Sequence, residues 1–467
     1  MIGMLSDKVL LNIFRYYLDA FPRFWPTLIH ICRKWRHIVF TSQQALNIRL
    51  FCSSGTPVSK ALHCWPGLPI VMEYGGSLGL DYPTLEDEYN IIAALKQSNR
   101  VSSISLTVTT SLQYMLYAVK RPLLELEDLT LLSQDNMLRT LPSTFLWGPH
   151  LRRLHLTSID IPSLLQLLYS SRNLEDLHLH NALDPHYFPI EELADALSGL
   201  AQLQSLSLYF ISTTRYHLTQ DLTPLLRDQL IVLPALTRLN LRGTASQLEP
   251  LVDRIDGPRL GDIQVTLIDG SILNPSKLGE FIDRIEIRNS LRQARILSSE
   301  RAISISLTQP GVPTCFDLRS VDESISNQLY AMSKHILPSF SALLPNVEDL
   351  RISATQVSRS FNDEQWLDVL YLFPGVKWLH LDLNSTKIVH ALQGIHWRTK
   401  TTVLPTLYKL YLPQPRSRHA PLSEALGSFI TSRWRSGCPI WVEYERSCCR
   451  NDSRGTGTSL CTACRCH

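Results

Sequence analysis

The sequence predicts an α/β chain: a small three-helix module, then a solenoid of repeats in which a curved parallel sheet carries helices on its outside. Three observations point there. From about residue 100 an apolar-x-x-apolar-x-apolar pattern recurs, mostly at intervals between about 22 and 33 residues. Helix-like stretches separate the instances, and several end in Leu-Pro or Phe-Pro just before the next one. The first fifty residues show helical instead of strand periodicity.

The module comes first. Leu10, Ile13, Phe14, Tyr17 and Leu18 fall on one helical face. Ser6 is placed to cap that helix, Leu5 can staple onto Leu10, and Pro22 ends it or lies in the turn beyond. A second apolar series (Phe24, Leu28, Ile31, Cys32, Trp35, Ile38, Val39) predicts one further helix, with Pro26 in its first turn and Arg33, Lys34 and Arg36 opposite. A short third helix is expected over Ser42–Leu46. So small a module buries little surface and needs to pack on the rest of the chain, on a partner, or on both. It is basic, with seven Lys or Arg against two Asp in residues 1–50, which suits an acidic partner.

The strand pattern begins at Val101/Ile104/Leu106, Leu126/Leu129/Leu131, Leu151/Leu154/Leu156 and Leu174/Leu177/Leu179. It continues through Leu203/Leu206/Leu208, Leu236/Leu239/Leu241, Leu260/Ile263/Val265 and Ala302/Ile305/Leu307. The last instances are Val347/Leu350/Ile352, Val376/Leu379/Leu381 and Leu407/Leu410/Leu412. Spacing and pattern are those of leucine-rich repeats. One such unit cannot bury its own apolar face, so units stack. Helices are expected over Pro162–Ser171, Ile190–Leu200 and Ser276–Ile285, and a loop or irregular insertion over Pro310–Ser324. The domain reading is a helical module over 1–47, a connecting segment and cap over 48–95, repeats over 96–445, and a Cys-rich, disordered tail over 446–467.

The N-terminal segments Leu5-Ser6-Asp7-Lys8-Val9-Leu10-Leu11-Asn12-Ile13-Phe14 and Trp25 to Arg36, ending Cys32-Arg33-Lys34-Trp35-Arg36, resemble an F-box. Ser6 and Lys8 depart from that family's usual proline and acidic residue. Several landmarks further resemble the large basidiomycete-type fungal F-box-like proteins: Trp65-Pro66, Leu68-Pro69-Ile70, Glu86 to Ile91, Phe281-Ile282, Trp366-Leu367 and Val403 to Leu407. The resemblance implies a substrate adaptor of a ubiquitin ligase, with the Skp adaptor and a cullin as partners and an unidentified protein as target. It implies a docking surface of Leu5, Val9, Leu10, Ile13 and Phe14, with Leu28, Cys32 and Trp35 nearer the packing seam. Two rival readings remain. These residues could be purely core, or the basic helix could bind DNA; the latter lacks a second helix bearing base-reading side chains.

Outward positions on the repeat strands are the expected target surface. They comprise Arg153, His155, Asp176, His178, His180, Ser207, Tyr209, Arg238, Asn240, Arg242, Asp349, Arg351, Trp378, His380, Lys409 and Tyr411. Arg238 and Arg242 share a face and suit an acidic or phosphorylated segment. His155, His178 and His180 could gather into a zinc site, but the expectation is a polar binding surface without metal or other cofactor.

Other chemistry is expected to be absent. Gly75-Gly76-Ser77-Leu78-Gly79 matches a nucleophile elbow, yet Leu80-Asp81-Tyr82-Pro83 does not start the helix that motif needs, so a glycine loop and no enzyme are expected. Cys32, Cys52, Cys64, Cys315 and Cys438 are scattered like reduced thiols, while Cys448, Cys449, Cys461, Cys464 and Cys466 crowd the tail without a well-spaced second pair for zinc. A net charge of +3 argues against nucleic acid and membrane as partners. Asp7 and Lys8 interrupt any secretory apolar region, and no run is long enough to span a bilayer, so an intracellular chain is expected, in cytoplasm or nucleus.

Overall fold

A computed structural model describes residues 5–75, 83–135, 137–142, 148–183, 190–210, 230–268, 273–285, 291–299, 302–310, 312–321, 337–341, 343–354, 363–382, 388–389, 391–392, 403–413 and 422–445. Ser77 and the cysteine-rich tail lie outside them. The chain divides into two compact units, Met1–Thr213 with Gln229–Leu236, and Thr214–Asp228 with Thr237–His467.

The first unit opens with α1 (Asp7–Ala20), whose N-cap is Ser6 and which buries Leu10, Phe14 and Leu18 at a four-residue spacing. The second apolar series forms two helices where one was expected: α2 (Trp25–Ile31) and α3 (Arg33–Thr41), separated by Cys32 in an extended conformation. The break leaves carbonyls at the end of α2 unpaired within the helix, and Arg36 Nε donates to Ile29 O at 2.9 Å to satisfy one. The expected helix over Ser42–Leu46 is a turn that closes at Asn47, whose φ is 48°. Phe14 meets Trp35 edge-on at 4.7 Å, which locks α1 to α3.

The module packs on the chain that follows. Trp25 lies edge-on to Trp65 at 5.0 Å, and its Nε1 donates to Arg49 O at 2.8 Å. Arg23 pairs with Glu73. Residues 48–95, expected as a connector and cap, already belong to the ladder. They form β1 (Leu50–Ser53), α4 (Val58–Cys64), β2 (Ile70–Tyr74) and α5 (Leu85–Leu95). β3 (Val101–Val108), α6 (Thr110–Leu116), β4 (Asp128–Ser133), β5 (Arg153–Thr157), α7 (Leu164–Ser170), β6 (Asp176–Leu183), α8 (Ile190–Ser198) and β7 (Ser205–Phe210) follow.

These strands pair in parallel and in chain order from β1 to β7. The register stacks equivalent repeat positions. Ile104, Leu129, Leu154, Leu177 and Leu206 form one column, and Leu106, Leu131, Leu156, Leu179 and Leu208 another. Every member of both columns is at most 2 % exposed. That burial, at about 1.5–3 kcal/mol per leucine side chain, is what the repeated pattern encodes.

The second unit contains β8 (Arg238–Gly243), α9 (Ala245–Arg254), β9 (Asp262–Leu267), α10 (Pro275–Arg284), β10 (Gln293–Ser298), β11 (Ala302–Gln309) and β12 (Val312–Val321). It ends with β13 (Asp349–Ala354), α11 (Asp363–Tyr371), β14 (Trp378–Leu381), β15 (Lys409–Pro413), α12 (Leu422–Arg435) and β16 (Trp441–Glu445). Its sheet order is β8-β9-β12-β11-β10-β13-β14-β15-β16. The middle departs from a plain repeat ladder, because β11 is antiparallel to both β10 and β12. The chain skips two places after β9 and fills them backwards with a meander. Pro310–Ser324, expected as a loop, therefore contributes strand β12. No helix among the described residues is long and apolar enough to cross a membrane.

Candidate functional site: the outward faces of the repeat strands

Between the leucine columns, alternate side chains of each strand face away from the core. In the first unit these make a connected polar cluster. Arg153 grips Asp128 with two parallel hydrogen bonds, Nε to Oδ1 and Nη2 to Oδ2, both at 2.6 Å. His155 and His178 are directly opposed in the register, with ring centroids 4.2 Å apart. Asp176 lies between them: His155 Nε2 is 3.2 Å from its Oδ2, and His178 Nε2 is 2.9 Å from its Oδ1. Burial alone would push the Asp176 carboxyl up, but the two imidazoles outweigh it and hold the group far below the usual carboxylate range. One step along the face, His180 meets the edge of Tyr209 at 4.5 Å.

The second unit carries two separate groups. Arg238 and Arg242 are exposed on β8, Arg238 opposite Asp262 of β9 and Arg242 opposite Thr266. Burial raises the Asp262 carboxyl against the pull of Gln264 and Arg238, and burial likewise raises Asp317 on β12. On β13 to β15, Asp349 is buried, with His380 Nε2 at 3.4 Å and Arg351 at 3.5 Å. His380 stacks flat on Tyr411 at 4.1 Å with a 5° tilt, and Lys409 reaches over the same ring while pairing with Glu443. Trp378 is half-buried beside them. Five strand spacings, roughly 24 Å, separate β8 from β13. The target residues expected on one face thus fall into distinct groups: Arg153, His155, His178, His180 and Tyr209; then Arg238 and Arg242; then Arg351, Trp378, His380 and Tyr411.

The residues expected to dock a partner through the N-terminal module also divide. Leu10, Phe14 and Leu28 are core, at most 5 % exposed, and cannot form a surface while the module is folded. Leu5 and Trp35 are half-buried, and Cys32 is exposed. Val9 and Ile13 are open to solvent, together with Tyr16, Phe21, Phe24 and Ile31. Asp128, Asp262 and Asp317 were not anticipated. Asp128 could have been, because it precedes Leu129 just as Arg153 precedes Leu154 and Asp176 precedes Leu177.

No protein-family model matches the chain, and no curated protein matches it. Among solved structures, the leucine-rich repeat-containing protein LegL7 from Legionella pneumophila is similar at 14 % identity, over 60 % of this chain and 80 % of that one, with a TM-score of 0.28. At that score the likeness adds nothing to the fold reading, which rests on the register of the leucine columns. The described chain is a mixed α/β protein of stacked helix–strand units with leucine-rich-repeat architecture.

Proposed function

We propose that the chain is the substrate-recognition adaptor of a Skp–cullin–F-box ubiquitin ligase, with the helical module docking to the Skp adaptor and the sheet faces holding a protein target. One observation carries the reading. The module is too small to leave apolar surface idle, yet Val9, Ile13 and Tyr16 lie exposed along one face of α1, and Phe21, Phe24 and Ile31 are exposed beyond it. That pattern suits a helix face that a partner covers, and the basic side chains around it suit an acidic partner. The docking contacts are then Val9 and Ile13, with Leu10, Phe14 and Leu28 acting beneath them as core.

The chain does no chemistry in this reading. Holding a target beside a ligase-bound ubiquitin conjugate raises its effective concentration there. Mixed charge and aromatic side chains on the sheet faces favour protein targets over nucleic acid or membrane. A non-catalytic repeat scaffold that engages no ligase is the second reading. It is favoured by the packing of Trp25 on Trp65, which also suits a module that simply caps the ladder.

A pull-down with purified Skp adaptor decides between them. The wild-type chain is expected to be retained, and Val9→Asp/Ile13→Asp to be lost with its melting temperature unchanged. Equal retention of both, or of neither, removes the ligase reading. Phe14→Asp is unsuitable here, because it would unfold the module.

A further inference from the structure

We propose that His155, Asp176 and His178 form a binding site for one divalent transition-metal ion of the zinc type, on the outward face of the repeat strands. The site does not depend on the adaptor reading. Its geometry is set by backbone register. His155 on β5 stands directly opposite His178 on β6, and Asp176 is two residues before His178 on the same face. Parallel pairing holds these three positions in a triangle on rigid strands, and their donor atoms all lie within 4.8 Å of one another.

Two imidazoles and a carboxylate form a donor set that zinc favours, and one that calcium and magnesium do not. Zinc sits about 2.0–2.2 Å from such atoms, so tetrahedral donors stand about 3.4 Å apart. His155 Nε2 is 3.2 Å from Asp176 Oδ2 and His178 Nε2 is 2.9 Å from Oδ1, so each of these two contacts needs to open by only a fraction of an ångström.

Two further observations separate the cluster from an ordinary polar network. Asp176 Oδ1 is sealed from solvent and has no well-formed hydrogen bond, its neighbour being His178 Nε2 at 2.9 Å as an ion-pair contact. A buried carboxylate oxygen without a well-formed hydrogen bond is costly, and a cation between the ring and the oxygen removes that cost. Arg153, the residue directly opposite Asp176 in the register, would be the natural partner of that oxygen. Its guanidinium is instead committed to Asp128 through both nitrogens. The carboxylate is thereby left to the histidines.

The three side chains remain 33 %, 21 % and 40 % exposed, so an ion held there keeps at least one position open to water or to a donor from a bound protein.

The test uses the full chain carrying Cys448→Ser, Cys449→Ser, Cys461→Ser, Cys464→Ser and Cys466→Ser, so that tail thiols do not compete. After chelator treatment and desalting, zinc is titrated calorimetrically and cobalt(II) by its visible spectrum. One ion per chain is expected, and cobalt should give ligand-field bands without thiolate charge transfer. His178→Ala and His155→Ala should each weaken binding at least about tenfold, since even losing an outer-shell partner costs that much. Asp176→Asn keeps the side-chain shape and serves as a third variant should either alanine disturb folding, which circular dichroism of the metal-free protein monitors. No binding in the serine background overturns the site, as does binding that the folded histidine variants leave unchanged.

Discussion

Asp87 is only 4 % exposed, yet it is well supplied with hydrogen-bond donors. It closes a capping box at the start of α5, where its Oδ2 accepts from Thr84 N at 3.0 Å and from Ser54 Oγ at 2.9 Å. Burial pushes its carboxyl up, but those hydrogen bonds outweigh burial and leave it below its ordinary value. A folded value below the unfolded one stabilises the protein above the unfolded value and is lost as pH falls through the folded one. Asp87→Asn should therefore cost about 1 kcal/mol at neutral pH. The difference from wild type should shrink once the pH drops below about 4. Urea unfolding across that range measures it, and a constant difference would rule out the charge as the cause. Asp317 has the opposite sign. Burial raises it beyond what Ser306 and Arg319 recover, so the ionised group opposes folding at neutral pH. Asp317→Asn should leave stability unchanged or raise it at pH 7, by the same measurement. Neither sign was legible in the sequence, where both residues are simply acidic. Each depends on which neighbours the register supplies.

At the scale of elements, the leucine pattern marked the strands of the first unit because each column position is buried in every repeat. The pattern carried no direction. Ala302, Ile305 and Leu307 alternate as expected and are buried, but β11 runs antiparallel, since period-two alternation is the same both ways along a strand. β1 and β2 fall outside the repeat pattern because Leu50-Phe51-Cys52 and Ile70-Val71-Met72 lack the leucine signature, although Leu68–Tyr74 does read as a strand-like run. The helix-to-strand turns at Leu344-Pro345, Phe373-Pro374 and Leu404-Pro405 were legible, and the structure supplies their purpose. Proline there leaves carbonyls that the next unit must satisfy. Thr406 Oγ1 donates toward Pro374 O at 2.8 Å and Val376 O at 2.9 Å, and buried Arg433 of α12 donates to Leu407 O at 3.0 Å. Gly375, in the equivalent place, lies so close to the Pro345 carbonyl that any Cβ would collide with backbone. Arg433→Met should thus destabilise the second unit by about 1–3 kcal/mol, by leaving buried carbonyls without donors. Gly375→Ala should be worse than a surface Gly427→Ala, where nothing lies nearby. Thermal melts of the three variants rank them. Parity between Gly375→Ala and Gly427→Ala would mean that the turn has room for a Cβ.

For the molecule as a whole, the sequence made a repeat chain behind a helical module readable, and with it which residues face outward. It did not make readable which outward residues meet. Arg153 could pair with Asp176 or with Asp128, and only the packed sheet chooses. The adaptor reading makes one demand at this scale, that the two jobs be separable. The exposed face of α1 belongs to the first unit and the Arg238–Arg242 pair to the second. Effects at sites that share no contacts add. Val9→Asp/Ile13→Asp should abolish capture by the Skp adaptor and leave binding to an array of acidic and phosphorylated peptides unchanged. Arg238→Ala/Arg242→Ala should do the reverse, and its remaining peptide binding should be less sensitive to salt, because two phosphate-type contacts have gone. The four-substitution chain should show both losses and neither more nor less. Peptide binding that survives the arginine substitutions would remove β8 as the gripping strand and turn attention to Trp378, His380 and Tyr411. A loss of peptide binding in the α1 variant would mean that module and sheet act as one surface, and the division of labour proposed here would fall with it.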